Sequence, residues 1–290
     1  MQPAFSFPNF SQMYPHEKRK LKRFREYLRY QYAYRLYHKQ CGQFDQFLNQ
    51  HPLWIPLFQQ HPYRVNGLLS TYCNRHWGGS QRLQAITTNL MVATAKFGVE
   101  RCQHLLAKGT LTLAMLTDSL SLNLNINTID PFEGFFSLNI QNTETKQSVY
   151  DASFTFLSEK QLLIASIQGP KGEHAQEIVR VVTKQLHGVR PMFMLVNGFR
   201  FLAQQLDCQL LGIPHRQQAK YRWNDSERLL FNYDEFWQEN DAVKQGEYWC
   251  LPADVERKPL EDIQSKKRSM YRKRYEMFDN ALEQITTQLS

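Results

Sequence analysis

The sequence has few of the features that mark a secreted, metal-bound or membrane-spanning chain. Its five cysteines, Cys41, Cys73, Cys102, Cys208 and Cys250, are scattered, odd in number and without a CxxC pair. That spacing excludes a zinc ribbon and a disulfide framework, and it fits free thiols in a reducing compartment. The amino terminus, MQPAFSFPNFSQMYP, lacks a basic n-region and an apolar h-region, so no secretory signal is expected. No window approaches the roughly eighteen uninterrupted apolar residues of a membrane span. His51, His61, His76 and His104 match no ligand spacing, and no metal is expected. No Ser/His/Asp or Cys/His set stands out, and there is no internal repeat. What remains is a cytoplasmic protein of 290 residues, long enough to bury a core without crosslinks.

Charge is plentiful, and it is unevenly placed. Residues 16–40 hold nine Lys or Arg against Glu17 and Glu26, which accounts for most of the formal net charge of +8. A second basic cluster, residues 266–274, lies near the other end. An anionic ligand or an anionic membrane surface is the partner these stretches suggest. Nucleic acid is not favoured, because the basic residues are split between two ends and no recognition motif accompanies them. A helix is expected to begin at His16, after Pro15. Its stripe of Leu21, Phe24, Leu28, Tyr32 and Leu36 reads either as a membrane-surface face or as the packed face of a core helix.

Gly42 is expected to end that helix, and further short helices follow, broken at Pro52, Pro56 and Pro62, with a longer one over Ser80–Phe97. The texture then changes. Thr110–Leu116, Leu120–Ile126, Phe135–Gln141, Ser148–Leu157 and Leu162–Ile167 alternate or are rich in branched and aromatic residues, and turn residues separate them. They predict an antiparallel meander. From Gln161 to Arg216 the chain reads strand, glycine turn, helix, helix, strand, an α/β unit whose ligands tend to sit beyond the strand ends. Residues 221–252 read as an aromatic, weakly regular segment, and a basic helix from about Pro259 closes the chain. The fold expectation is α+β: a helical region over 1–105, then a mixed, largely antiparallel sheet with flanking helices over 106–290.

Five motifs recur in order: Gln168-Gly169-Pro170, Leu186-His187-Gly188-Val189-Arg190-Pro191, Asn232-Tyr233-Asp234-Glu235-Phe236-Trp237, Leu251-Pro252, and the run from Ser265 to Tyr275. Together they resemble the VirK/YbjX family of Gram-negative bacteria, while the first hundred residues match it loosely. The resemblance implies links to virulence, envelope integrity and tolerance of cationic antimicrobial peptides, with no assigned reaction. The location expected from the residues themselves is cytoplasmic, or peripheral at the inner membrane through the basic helix. The family is more distantly similar to GNAT-type acyltransferases, which implies a GNAT-like sheet and acyl-CoA or acyl carrier protein as donor to an amine or hydroxyl. The alternative is a non-catalytic envelope accessory or chaperone-like factor that docks through its basic surfaces.

In GNAT proteins a glycine turn opening a helix holds the pyrophosphate with backbone N–H groups and the helix dipole. Gln168, Gly169, Lys171 and Gly172 are the corresponding candidates, with a tight turn and no ligand as the alternative. Pro170 removes one N–H from such a nest, and Lys171 offers a charge in its place. Arg190 is the candidate clamp for a phosphate or carboxylate, or else the partner of Asp207 or Asp234. His187 reads as a general base or as a cap on its helix. Tyr233 and Asp234 offer a general acid and a carboxylate; the alternative for Tyr233 is a buried structural role.

Overall fold

The computed structural model describes residues 4–15, 18–128, 130–221 and 231–290. The expected helix start at His16, and Arg222 and Trp223 of the aromatic segment, lie outside the described residues. The chain opens with α1 (Phe10–Met13), α2 (Lys20–Leu36), α3 (His38–Gln50), α4 (Ile55–Gln59), α5 (Asn66–Leu69), α6 (Gly79–Phe97) and α7 (Val99–Lys108). A meander follows: β1 (Thr110–Thr117), β2 (Leu120–Ile126), β3 (Phe136–Asn142), β4 (Ser148–Ser158) and β5 (Gln161–Gln168). Then come α8 (Ala175–Gln185), α9 (Pro191–Gln205), β6 (Gln209–Gly212), α10 (Tyr233–Glu239), β7 (Val243–Gln245), β8 (Tyr248–Leu251) and α11 (Ser265–Leu289). The architecture is α+β, with one eight-stranded sheet in the order β1-β2-β3-β4-β5-β6-β8-β7. Every neighbouring pair is antiparallel except β5–β6, which the α8–α9 crossover makes parallel.

Alternation along β2–β4 divides the sheet into unlike faces. On one, Leu122, Ile140 and Phe154 face α9, where Gly198 lets the helix settle onto Leu122 and the Phe199 ring lies 5.6 Å from Phe154. On the other, an unbroken row of polar side chains crosses five strands in register: Thr112, Asn123, Asn139, Asp151 and Gln168. Its two buried members, Asn123 and Asn139, find partners within the row, as buried polar groups must, whereas Asp151 is bonded by Ser148. Thr112 Oγ1 donates to Asn123 Oδ1 at 2.9 Å, and Asn123 Nδ2 to Asn139 Oδ1 at 3.0 Å. The open edge of β1 is capped by α11, whose Gln284 takes the Met115 N–H at 2.9 Å and returns a donor to its carbonyl at 3.3 Å. An edge covered in this way cannot template another strand.

The helical region and the sheet share one core: Trp54 packs on Phe136 and Phe58 on Phe135. Two expectations need correction. Gly42 does not end a helix; it lies inside α3, and the break falls at Tyr37. Tyr37 is held there by its neighbours, its ring filling the space over Gly79 while the Arg82 guanidinium lies 4.7 Å from its centroid. The segment expected to be weakly regular contains α10 and the β7–β8 hairpin, which completes the sheet.

Candidate functional site

The carboxyl end of β5 is where sequence and geometry meet. The parallel ladder ends at Ile164 and Gly212, and β5 runs on to Gln168, so the two strands fork. Helix α10 fills the fork. Tyr233 Oη accepts from the Ile167 N–H at 2.8 Å and donates to the Ile167 carbonyl at 3.1 Å. Full burial pushes the Tyr233 hydroxyl pKa up, so it stays protonated, and its proton is committed to that carbonyl. The Trp237 ring occupies the space a Cβ on Gly212 would need, and its Nε1 donates to the Ile213 carbonyl at 2.8 Å. Asp234 is also spent on the fold: its Oδ1 accepts from the His215 N–H at 3.0 Å and from Trp249 Nε1 at 2.7 Å.

The glycine corner is closed in the same manner. Gln168 Nε2 donates to Glu133 Oε2 at 2.8 Å. A Cβ on Gly169 would lie 2.7 Å from the Tyr150 ring, so the ring already holds the ground over the turn. Lys171 and Gly172 are exposed; Gly172 has φ +93° and its carbonyl accepts from Ala175 N–H at 3.2 Å. Helix α8 starts only at Ala175, and Glu177 in its first turn supplies the negative charge its dipole favours. These residues do not fit a pyrophosphate.

His187 and Arg190 lie at the far end of α8, about 16 Å away for a helix of this length. His187 takes the left-handed position after the helix, φ +51°. Its N–H bonds to the Lys184 carbonyl at 3.2 Å, and the Gly188 N–H bonds to that of Thr183 at 2.8 Å, a Schellman stop. Arg274 donates twice to the His187 carbonyl, at 3.1 and 2.9 Å, with its guanidinium over Tyr271. The imidazole pKa is lowered, first by partial burial and then by Lys273 and Arg274. Arg190 is exposed and flanks the start of α9; its expected partners are engaged elsewhere, Asp207 with Lys160 and Asp234 with Trp249. The structure thus brings Tyr233 beside Gln168 and Gly169, and keeps His187 and Arg190 apart from them.

Sequence reasoning missed the group that Gln168 reaches. Glu133 sits in the loop between β2 and β3, only 5 % exposed. Its carboxyl pKa is raised, chiefly by burial. Lys220 Nζ lies 3.8 Å from Glu133 Oε1 and 2.7 Å from Asp130 Oδ2, bridging the two carboxylates from the solvent side. The signal was a lone acid inside the aromatic run Pro131-Phe132-Glu133-Gly134-Phe135-Phe136. A carboxyl held above its unfolded value of 4.5 contributes stability that is complete below that pH and is lost as pH rises through the folded value. Glu133→Gln keeps an acceptor for Gln168 but carries no titrating proton. The variant is therefore expected to lose less stability than the wild type between acid and neutral pH, measured by denaturant titration at each pH.

A family model described as protein of unknown function DUF535 matches residues 19–287. A protein named YbjX from Escherichia coli is 30 % identical over 137 residues, covering 46 % of this chain and 42 % of that protein. The chain belongs to the VirK/YbjX family. An uncharacterised protein of Haemophilus influenzae is 56 % identical over 95 % of both chains. A Mannheimia haemolytica protein named membrane protein LapB is 35 % identical, covering 76 % of this chain and 96 % of that one. No solved structure matches.

Four of the five motifs that carry the VirK/YbjX resemblance begin or end an element, and the fifth, Ser265–Tyr275, is the first part of α11. Gln168-Gly169-Pro170 ends β5, and Leu186–Pro191 stops α8 and starts α9 with proline in its first turn. Asn232 caps α10, its side chain accepting the Asp234 N–H, and Leu251-Pro252 ends β8. Within residues 266–274, Arg268 bonds the carbonyls of Ile263 and Glu261, while Lys266, Lys267, Arg272 and Lys273 are exposed. Among the described residues no group of three or more His, Cys, Asp or Glu side chains is gathered to hold a metal.

Proposed function

We propose that this VirK/YbjX member is a peripheral factor of the Gram-negative envelope that works by docking and not by acyl transfer. The observation that carries this reading is the closed fork at the end of β5, where Tyr233, Trp237 and Tyr150 fill the space a donor would enter. The name of the Mannheimia relative, membrane protein LapB, supports attachment to a membrane. No helix among the described residues is long and apolar enough to cross one, which favours attachment at the surface.

A second reading, transfer from acyl-CoA or acyl carrier protein, has the sheet in its favour. The sheet is mixed and largely antiparallel, with β5–β6 its single parallel pair, and a GNAT-like arrangement is what this second reading adds to it. Thermal melting with coenzyme A separates the two. A ligand at a hundredfold excess over its Kd stabilises by about 2.7 kcal/mol, which moves a melting temperature visibly. The expected result is no shift at any coenzyme A concentration up to millimolar; a saturable rise would overturn the docking reading and restore the transferase.

A further inference from the structure

Helix α2 packs by the side opposite to its apolar stripe. At 3.6 residues per turn, Leu21, Phe24, Leu28, Tyr32 and Leu36 share one side and Tyr30 faces the other way. Tyr30 is buried, donates to the Pro8 carbonyl at 3.0 Å and packs against Phe10. The five stripe residues stand 51 to 87 % exposed. Single exposed leucines are ordinary on a protein surface; five large apolar side chains in one row are not. The helix is apolar on two opposite sides, so contrast around its circumference is weak, and exposure is what singles out the outer one.

Charge decides the occupant. Arg25, Arg29 and Arg35 rise between the stripe residues, and all three are exposed. The helix's one acid, Glu26, is turned inward, with its side chain 15 % exposed and bonded by Arg29 Nη1 at 3.0 Å. That carboxylate also lies 3.4 Å from Arg25 Nη2, so one negative charge is shared by two arginines, and the outer side is left apolar with a net positive charge. An acidic protein surface would match the cations and leave the leucines and Phe24 wet. A second copy of the same face would bring arginine against arginine. A bilayer with anionic headgroups over an apolar interior satisfies both, with the stripe at the acyl boundary and the guanidinium groups among the phosphates.

We infer that the outward face of α2 is the docking surface for an anionic lipid bilayer, a step that rests on the peripheral reading above and names its partner. Because α2 is held by Tyr30 and the Phe10 cluster, the face exists before the membrane is met, and docking needs no folding step.

Flotation of the full chain tests this with vesicles of phosphatidylethanolamine containing phosphatidylglycerol, and with vesicles of phosphatidylcholine alone. The wild type is expected to float with the first and not the second. Phe24→Ser with Leu28→Ser, both exposed and so harmless to folding, is expected to abolish flotation. Arg25→Gln with Arg35→Gln is expected to weaken it by roughly twenty- to thirtyfold, since each basic group near an anionic surface is worth about fivefold. If the serine variant floats as the wild type does, the inference about α2 fails and the peripheral reading stands on another surface. If the wild type does not float, both fail. A concentration-dependent dimer without lipid, lost in the serine variant, would assign the face to a second copy and overturn the inference.

Discussion

Gly134→Ala is expected to cost upward of about 4 kcal/mol, a size reached by few single substitutions. Two independent effects add at this position. The backbone has φ +114° and ψ 162°, a region essentially reserved to glycine. A Cβ there would also lie 2.6 Å from the Phe154 carbonyl oxygen, a backbone atom of β4 that cannot swing aside. The close approach has a purpose. It presses the β2–β3 loop onto the sheet so that Glu133 reaches Gln168 and the Phe135 and Phe136 rings enter the core. Lifting the loop to make room would undo all three. Gly172→Ala is the control, since it shares a positive φ, +93°, but nothing lies within 4 Å of its Cβ. It is expected to lose only the left-handed strain, about 1–2 kcal/mol. Urea titration of both variants checks the difference; equal losses would mean that the collision with β4 counts for nothing.

The meander was legible because period-two alternation and turn residues agree along it. Leu120–Ile126 was expected as a strand and is β2 to the residue, and the other four match within one or two at each end. What could not be read was set by partners distant in sequence. The helix break at Tyr37 depends on Gly79 and Arg82, some forty residues on, whereas Gly42 has no contact that would make it a stop. A glycine inside a helix costs about 1 kcal/mol relative to alanine, which a well-packed helix absorbs. Strands β7 and β8 are three and four residues long, too short to show a period. They form because β6 offers β8 a ladder and β8 offers one to β7.

The site was half legible for a related reason. Gln168 and Gly169 stand out by their place after a strand, and Tyr233 by its aromatic neighbours, and the fold does bring them together. His187 and Arg190 were grouped with them by nearness in sequence, but an eleven-residue helix intervenes. Glu133 lies 35 residues before Gln168 and meets it only because Gly134 lets the loop fold back. The α2 stripe was legible as a stripe. Which side of the helix it faced was decided by Tyr30 and by the aromatic residues of the amino-terminal arm, whose pairing no periodicity reports.

Trp237→Ala is the second large effect expected, about 3–5 kcal/mol for emptying a buried aromatic site. Trp237 is wholly buried, its ring lies against Gly212, and its Nε1 is the donor to the Ile213 carbonyl, which would be left without it. Denaturant titration reads the loss, and hydrogen exchange reads where it falls. The Ile167 amide, bonded to Tyr233 on the same helix, and the Ile213 amide, bonded to the Ile164 carbonyl, should lose protection together. Amides in the β2–β3 ladder should change far less, because β4 separates it from β5. The wild type matters as much as the variant in this measurement. If α10 is a permanent plug, the Ile167 amide should exchange only through global unfolding, at the rate of the slowest core amides. An Ile167 amide that exchanges much faster in the intact protein would mean that the fork opens in the native state, and space for a donor beside β5 would then exist without any mutation.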